Sequence, residues 1–223
     1  MSGRALVSTR HVHPKPCPYS IKSIFSEPSA QEFLMSVAPK KFPSIEPDDV
    51  VVPEGKSLSE WIESRVARYE TRTIDWNALK FQADYDPIYR RAQMRYIGTG
   101  ATGVADDENV VPAENFTFST MVLPAGCEGP LHIHRDAEEV FFILKGHKIR
   151  LFIEHKGELV ETVLTERDII SVPAGVYRGL RNEGIEEALM CVMIGNPKPV
   201  TPTYPEDHPV SKIPRPAGSK AAG

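Results

Sequence analysis

From Arg90 to Ile194 the chain is a succession of short segments rich in β-branched and aromatic residues, cut apart by turn signals. The segments run Arg90 to Ile97, Glu114 to Leu123, Leu131 to His134, Val140 to Leu144, Lys148 to Glu154, Leu159 to Leu164, Asp168 to Val172 and Ala188 to Ile194. Between them stand Pro124-Ala-Gly126, Lys145-Gly-His147, Lys156-Gly-Glu158, Pro173-Ala-Gly175 and Asn182-Glu-Gly184. Short strands so closely spaced build a sandwich or barrel, not the alternating strands and helices of a parallel sheet. Ile149, Leu151 and Ile153 alternate with Lys148, Arg150, Phe152 and Glu154, so that strand turns one face to a core. No internal repeat of fixed period is present.

The rest of the chain has a different texture. Ser29-Ala-Gln-Glu32 and Ser57-Leu-Ser-Glu60 both carry capping-box spacing and predict helices near 29–38 and 57–70. Leu58, Trp61, Ile62, Val66 and Tyr69 recur at helical spacing in the second, a stripe expected to pack with Trp61 as a core anchor. Many of the 20 prolines fall in residues 1–20 and 197–216, which read as extended arms. The expected organisation is a helical N-terminal extension over 1–87, a β barrel over 88–196 and a Pro-rich tail over 197–223. The 223 residues suit one ordinary domain with an extension. A net charge of −4 without a basic block excludes a typical nucleic-acid surface. Cys17, Cys127 and Cys191 are too few and too scattered for a disulfide framework, which favours a reducing setting. The sequence has no run of about 18 apolar residues, so no membrane span is expected. With no apolar leader after Met1, the expected location is cytoplasmic.

One segment carries the chemistry. His132 and His134 lie two apart on a strand, so both imidazoles point to one face. A turn at Arg135-Asp136 reverses the chain, and the next strand brings a carboxylate opposite them. Two neutral imidazoles and one carboxylate facing a barrel interior suit a divalent metal, with coordination positions left for water or substrate.

The spacing Gly126, five residues, His132-x-His134, four residues, Glu139, six residues, Gly146 resembles the first motif of the cupin family at every defined position. A second cupin motif is matched at Pro173, Gly175 and Asn182, but Arg167 and Arg178 stand where the family has glycine and histidine. The resemblance covers roughly residues 88–196. It implies a mainly β fold, a double-stranded β-helix (cupin or jelly-roll) barrel, with His132, His134 and Glu139 as metal ligands. Glu139 rather than Glu138 keeps the motif spacing, and strand alternation turns Glu138 away.

Arginine cannot replace the family's fourth ligand, because its guanidinium has no lone pair to give. Either a three-ligand site persists, or the metal is lost and Arg178 anchors an anion-binding pocket. The metal-bearing reading is preferred: iron(II) first, with manganese, nickel or zinc as alternatives. It makes the chain a mononuclear non-haem dioxygenase-type oxidoreductase acting on a small anionic molecule. Arg178 would orient the substrate through a bidentate pair, and Glu138 is the candidate acid–base group. The alternatives are a non-catalytic anion-binding cupin and a cupin isomerase or lyase. The family resemblance also implies a homodimer. Plainer readings suffice elsewhere. His11 and His13 sit in a Pro-rich arm with no carboxylate nearby, and His147, His155 and His208 are given no role. Cys127 is read as a small buried hydrophobe and Tyr177 as wall packing. Met121, Phe141 and Ile143 are expected around the pocket, and Gly98 to Gly103 form a loop over its mouth.

Overall fold

Nine strands form two antiparallel sheets in the computed structural model, which describes Glu46, residues 50–102, Val104 and residues 107–215. Strands β1 (Ala92–Ile97), β2 (Thr117–Leu123), β9 (Ala188–Ile194), β4 (Glu139–Lys145) and β7 (Ile169–Val172) make the first sheet, in that spatial order. Strands β3 (Glu128–Ile133), β8 (Tyr177–Asn182), β5 (Ile149–His155) and β6 (Glu158–Leu164) make the second. From β2 to β5 successive strands change sheet, and so do those from β6 to β9. The sheets are thereby laced into one double-layered barrel, the mainly β architecture expected. The chain divides into two compact units, residues 1–51 and 52–223, and the barrel belongs to the second. The helix expected near 29–38, His11, His13 and Cys17 lie outside the described residues.

The core lies between the sheets, where alternate residues of facing strands meet. Leu123, Ile143 and Met190 from one sheet close on Ile149, Leu151 and Leu180 from the other, all essentially without exposure. Fully burying such a side chain is worth roughly 1.5–3 kcal/mol relative to leaving it in water. Asn182 ties the end of β8 into this core. Its Nδ2 donates to the carbonyls of Leu123 and Glu186, and its Oδ1 accepts from the Gly184 amide.

Strand β8 is absent from the pattern of expected strands, yet it lies centrally between β3 and β5. Its sequence, Tyr-Arg-Gly-Leu-Arg-Asn, has no β-branched residue, and pairing on both edges overrides that weak local preference. Gly179 is required there. A Cβ at this position would stand 3.1 Å from the Gly129 oxygen and the Leu131 nitrogen, where β3 bulges against β8.

The second expected helix is much shorter than its pattern. Helix α1 is Leu58–Glu63, opened by the capping box of Ser57 and Glu60. It stops at Ser64, whose Oγ donates to the Trp61 carbonyl and so takes an acceptor the next turn would use. The apolar stripe does not pack on the core: Leu58 is 62% and Tyr69 70% exposed, and Trp61 is only half-buried, with the Arg65 guanidinium 5.8 Å from its ring centre. The core-anchor reading of Trp61 is therefore incorrect. A helix that the pattern does not signal, α2 (Lys80–Tyr85), contributes the fully buried Gln82 instead.

The described part of the Pro-rich C-terminal segment folds back over the barrel. Thr203 pairs with Ile133 through both backbone hydrogen bonds, at 2.8 and 3.2 Å. The hydroxyl of Tyr204 accepts from Gln82 Nε2, and Val210 is 1% exposed. No helix among the described residues is long and apolar enough to cross a membrane.

Candidate metal centre

The local sequence of β3 sets the first histidine. Pro130 has no amide hydrogen to give a ladder, and it sits in the bulge between Gly129 and His132, on an edge strand. Its carbonyl is thereby free to accept from His132 Nδ1 at 2.8 Å. His134 follows two residues later on the same face, its ring centre 5.3 Å from that of His132 and almost perpendicular to it. After the turn, Asp136 Oδ2 accepts from Asn196 Nδ2 and the Val200 amide, both at 2.9 Å, which pins the reversal. Glu139 then enters β4 between Ile194 and Val172 of its neighbouring strands and points inward.

The three side chains meet. One ligand atom from each of His132, His134 and Glu139 lies within 4.8 Å of the others, and Glu139 Oε2 is 3.2 Å from His132 Nε2 and 3.7 Å from His134 Nε2. A carbonyl only accepts, so the contact with Pro130 assigns the hydrogen of His132 to Nδ1. The lone pair of the neutral ring then sits on Nε2 and faces a carboxylate oxygen. Two acceptors at that distance require a cation between them, a proton or a metal ion. Burial pushes His134 down to about 4, helped by the neighbouring His132 and Arg178, so this imidazole is neutral and keeps a lone pair. Burial works against the charge on Glu139; with a proton on His132 Nε2, the hydrogen bond and charge of that ring, with His134 and Arg178, outweigh burial and hold the carboxyl at about 2. Two neutral nitrogen donors and one carboxylate are a donor set that suits a divalent transition metal.

Arg178 is fully buried but does not line the cavity in front of the cluster. Its Nη2 donates to the carbonyls of Val172 and Pro173, and its Nε is 3.5 Å from Glu139 Oε2. Expected to clamp a substrate, Arg178 pairs instead with Glu139 and balances its charge, outside the lining of this cavity. Glu138, immediately before β4, is exposed; its carboxylate accepts from Ser171 Oγ and is not part of the cluster.

In front of the cluster is a cavity between the sheets. Met121, Phe141, Leu180 and Val192 form its apolar walls, and Ile143, expected beside them, is plain core. Gly98, Gly100, Ala101 and Thr102 line it, as expected of the glycine-rich loop. Thr201, Pro202, Tyr204 and Arg215 from the C-terminal segment and Arg91 before β1 line it too, and none of these was found from sequence. Arg91 stands two residues from Gln93 on the face that lines the cavity, a spacing that reads equally well as a solvated strand face. Cys127 is half-buried, its thiol pushed up by burial, in keeping with a packing role.

Comparison with known proteins places part of this fold. Residues 119–195 match the family described as Cupin domain. No curated protein matches the chain. Among solved structures, recombinant oxalate oxidase in complex with glycolate is 19% identical, covering 51% of this chain and 54% of that one, with a TM-score of 0.41. Another oxalate oxidase, in complex with the substrate analogue glycolate, is 24% identical over 38% of this chain and 44% of that one, with a TM-score of 0.36. The formate complex of Lactobacillus farciminis oxalate decarboxylase is 16% identical, covering 51% and 31%, with a TM-score of 0.42. The chain thus spans about half the length of the oxalate oxidases it matches. From the family match and the two laced sheets, this chain carries a cupin domain, and the cluster of His132, His134 and Glu139 lies inside it.

Proposed function

We propose that the protein is a metal-dependent enzyme in which His132, His134 and Glu139 hold a divalent ion, iron(II) first, and that it oxidises a small organic anion with dioxygen. The observation that carries this reading is the opposed pair of His132 Nε2 and Glu139 Oε2, 3.2 Å apart, with the buried neutral His134 beside them. Manganese, nickel and zinc fit the same donors. Bound there, the ion supplies Lewis acidity and open coordination positions for oxygen and a chelating substrate.

The chain's own residues do the rest. Pro130 fixes the tautomer and orientation of His132 through its carbonyl. Arg178 holds Glu139 ionised from behind. Met121, Phe141 and Val192 keep the space before the cluster apolar and exclude water from it. With Glu138 exposed and bonded to Ser171, an isomerase or lyase reading loses the acid–base residue it would draw on.

Elemental analysis of untagged protein tests the proposal. The expected result is near-stoichiometric metal that disappears in Glu139→Ala while the barrel stays folded by circular dichroism. Oxygen uptake with small carboxylic and keto acids is then the screen for substrate. Wild-type protein that holds no metal and takes up no iron(II) would leave a binding protein rather than an enzyme.

A further inference from the structure

The cavity contains a cation that no carboxylate neutralises. Arg91 is 9% exposed, and the bond its side chain makes is from Nη1 to the Tyr89 carbonyl at 3.0 Å. Among the described residues no carboxylate lies within ion-pairing distance of it. The acidic groups nearest to it are committed elsewhere: Glu128 pairs with Arg181 at 2.7 Å, and Glu139 with His132 and Arg178. Burying a guanidinium without a counter-ion is unfavourable, so the fold carries this arginine at a loss unless a ligand supplies the charge.

Its neighbours around the cavity also have N–H or O–H groups to spare. Arg215 lines the same space: its Nη2 donates to the Pro202 carbonyl, its guanidinium lies 5.4 Å from the Tyr204 ring centre, and its other N–H groups remain to donate. The Tyr204 hydroxyl accepts from Gln82 Nε2, which leaves its own hydrogen to donate. The hydroxyl of Thr102 is buried with no partner and belongs to the same lining. Much of the remaining lining is apolar: Met121, Phe141, Leu180, Val192 and Phe81.

We propose that Arg91, with Arg215 and Tyr204, is the subsite for the carboxylate of the substrate, and that the substrate is a monoacid with an apolar body. The body lies along the apolar walls, and the opposite end of the molecule faces His132, His134 and Glu139. A small polar dianion such as oxalate fits this lining poorly, because it leaves the walls uncovered and brings a second charge against them. The inference rests on the metal-centre reading only for what the far end of the substrate meets. The carboxylate subsite stands on Arg91 itself.

Calorimetric titration with benzoate and with oxalate tests this, on the full chain as purified and after chelator treatment. Benzoate is expected to bind both preparations, with oxalate weaker by roughly tenfold or more. Arg91→Met is expected to weaken benzoate by about tenfold or more without lowering the melting temperature, since it removes an uncompensated buried charge. Arg91→Lys should restore part of the affinity. Benzoate that fails to bind, that binds Arg91→Met as tightly as wild type, or that oxalate matches overturns the proposal. So does an Arg91→Met protein that melts well below wild type, because the arginine is then a structural strut. If the benzoate pattern holds in protein that never takes up iron, the metal-centre reading fails and the subsite stands. If iron loads and the benzoate pattern is missing, the metal centre stands and the subsite fails.

Discussion

Two arginines are buried in the barrel, and their surroundings differ. Arg178 on β8 has a counter-ion in the protein: Glu139 lies 3.5 Å from its Nε and two backbone carbonyls receive Nη2, while Nε and Nη1 are buried without a hydrogen-bond partner. Arg91 before β1 has one carbonyl and, among the described residues, no counter-ion. A paired buried charge is a part of the scaffold, whereas an unpaired one is a receptor for a ligand's charge. The same side chain, at similar depth, has two functions set only by what faces it.

The largest expected effect separates them. In metal-free protein, Arg178→Ala should lower stability by about 3–5 kcal/mol, since it strips Glu139 of a partner and opens a hole beside it. Urea unfolding measures this. A loss below about 1 kcal/mol would mean that Arg178 contributes no more than an exposed pair, and the two arginines would no longer differ in kind.

Acid gives the next effect. His134 takes a proton at about 4 in the folded chain, against an ordinary value of 6.5. Glu139 takes one at about 2, against 4.5. In both cases the unfolded chain binds more protons, so stability falls as pH falls. The His134 contribution is lost between pH 6.5 and about 4, and that of Glu139 from 4.5 down to about 2. The first amounts to something on the order of 3 kcal/mol. Thermal melts of metal-free wild type and His134→Asn across this range should diverge at neutral pH and converge near pH 4. Parallel curves would show that His134 is not held neutral by its burial.

The smallest effect concerns a third arginine, whose side chain is beside the point. Arg167 has φ +75°, a left-handed conformation that glycine adopts without strain, and it occupies the position where cupins carry glycine. Arg167→Gly should raise stability by up to about 1 kcal/mol, seen as a small rise in melting temperature. A fall would mean that the arginine side chain itself contributes there, and that its charge matters as well as its backbone.

The arginines also mark where the sequence is readable. The first cupin motif was legible because its chemistry is local: two histidines on one strand, a reversal, and a carboxylate at the head of the next. Its partner strand was not. β8 carries Arg178 and Asn182, both fully buried, in a sequence with no β-branched residue. The stripe of α1 gave the opposite error, since periodicity reports an amphipathic face and is silent on whether anything covers it. Arg91 went unread because a charged residue at a strand start is ordinarily solvated. What surrounds it comes in part from the C-terminal segment, far away in the chain.

The backbone pairing of Thr203 with Ile133 sets an order of events during synthesis. Ile133 lies between the two histidines, so the strand that presents them gains its outer partner only when Thr203 has left the ribosome. The nascent barrel, with all nine strands already made, still has an open cavity and a bare edge beside His132 and His134. Sealing the cavity is therefore a late step of biogenesis, and the proposed metal ion would have a natural interval in which to enter before Tyr204 and Arg215 take their places in the lining.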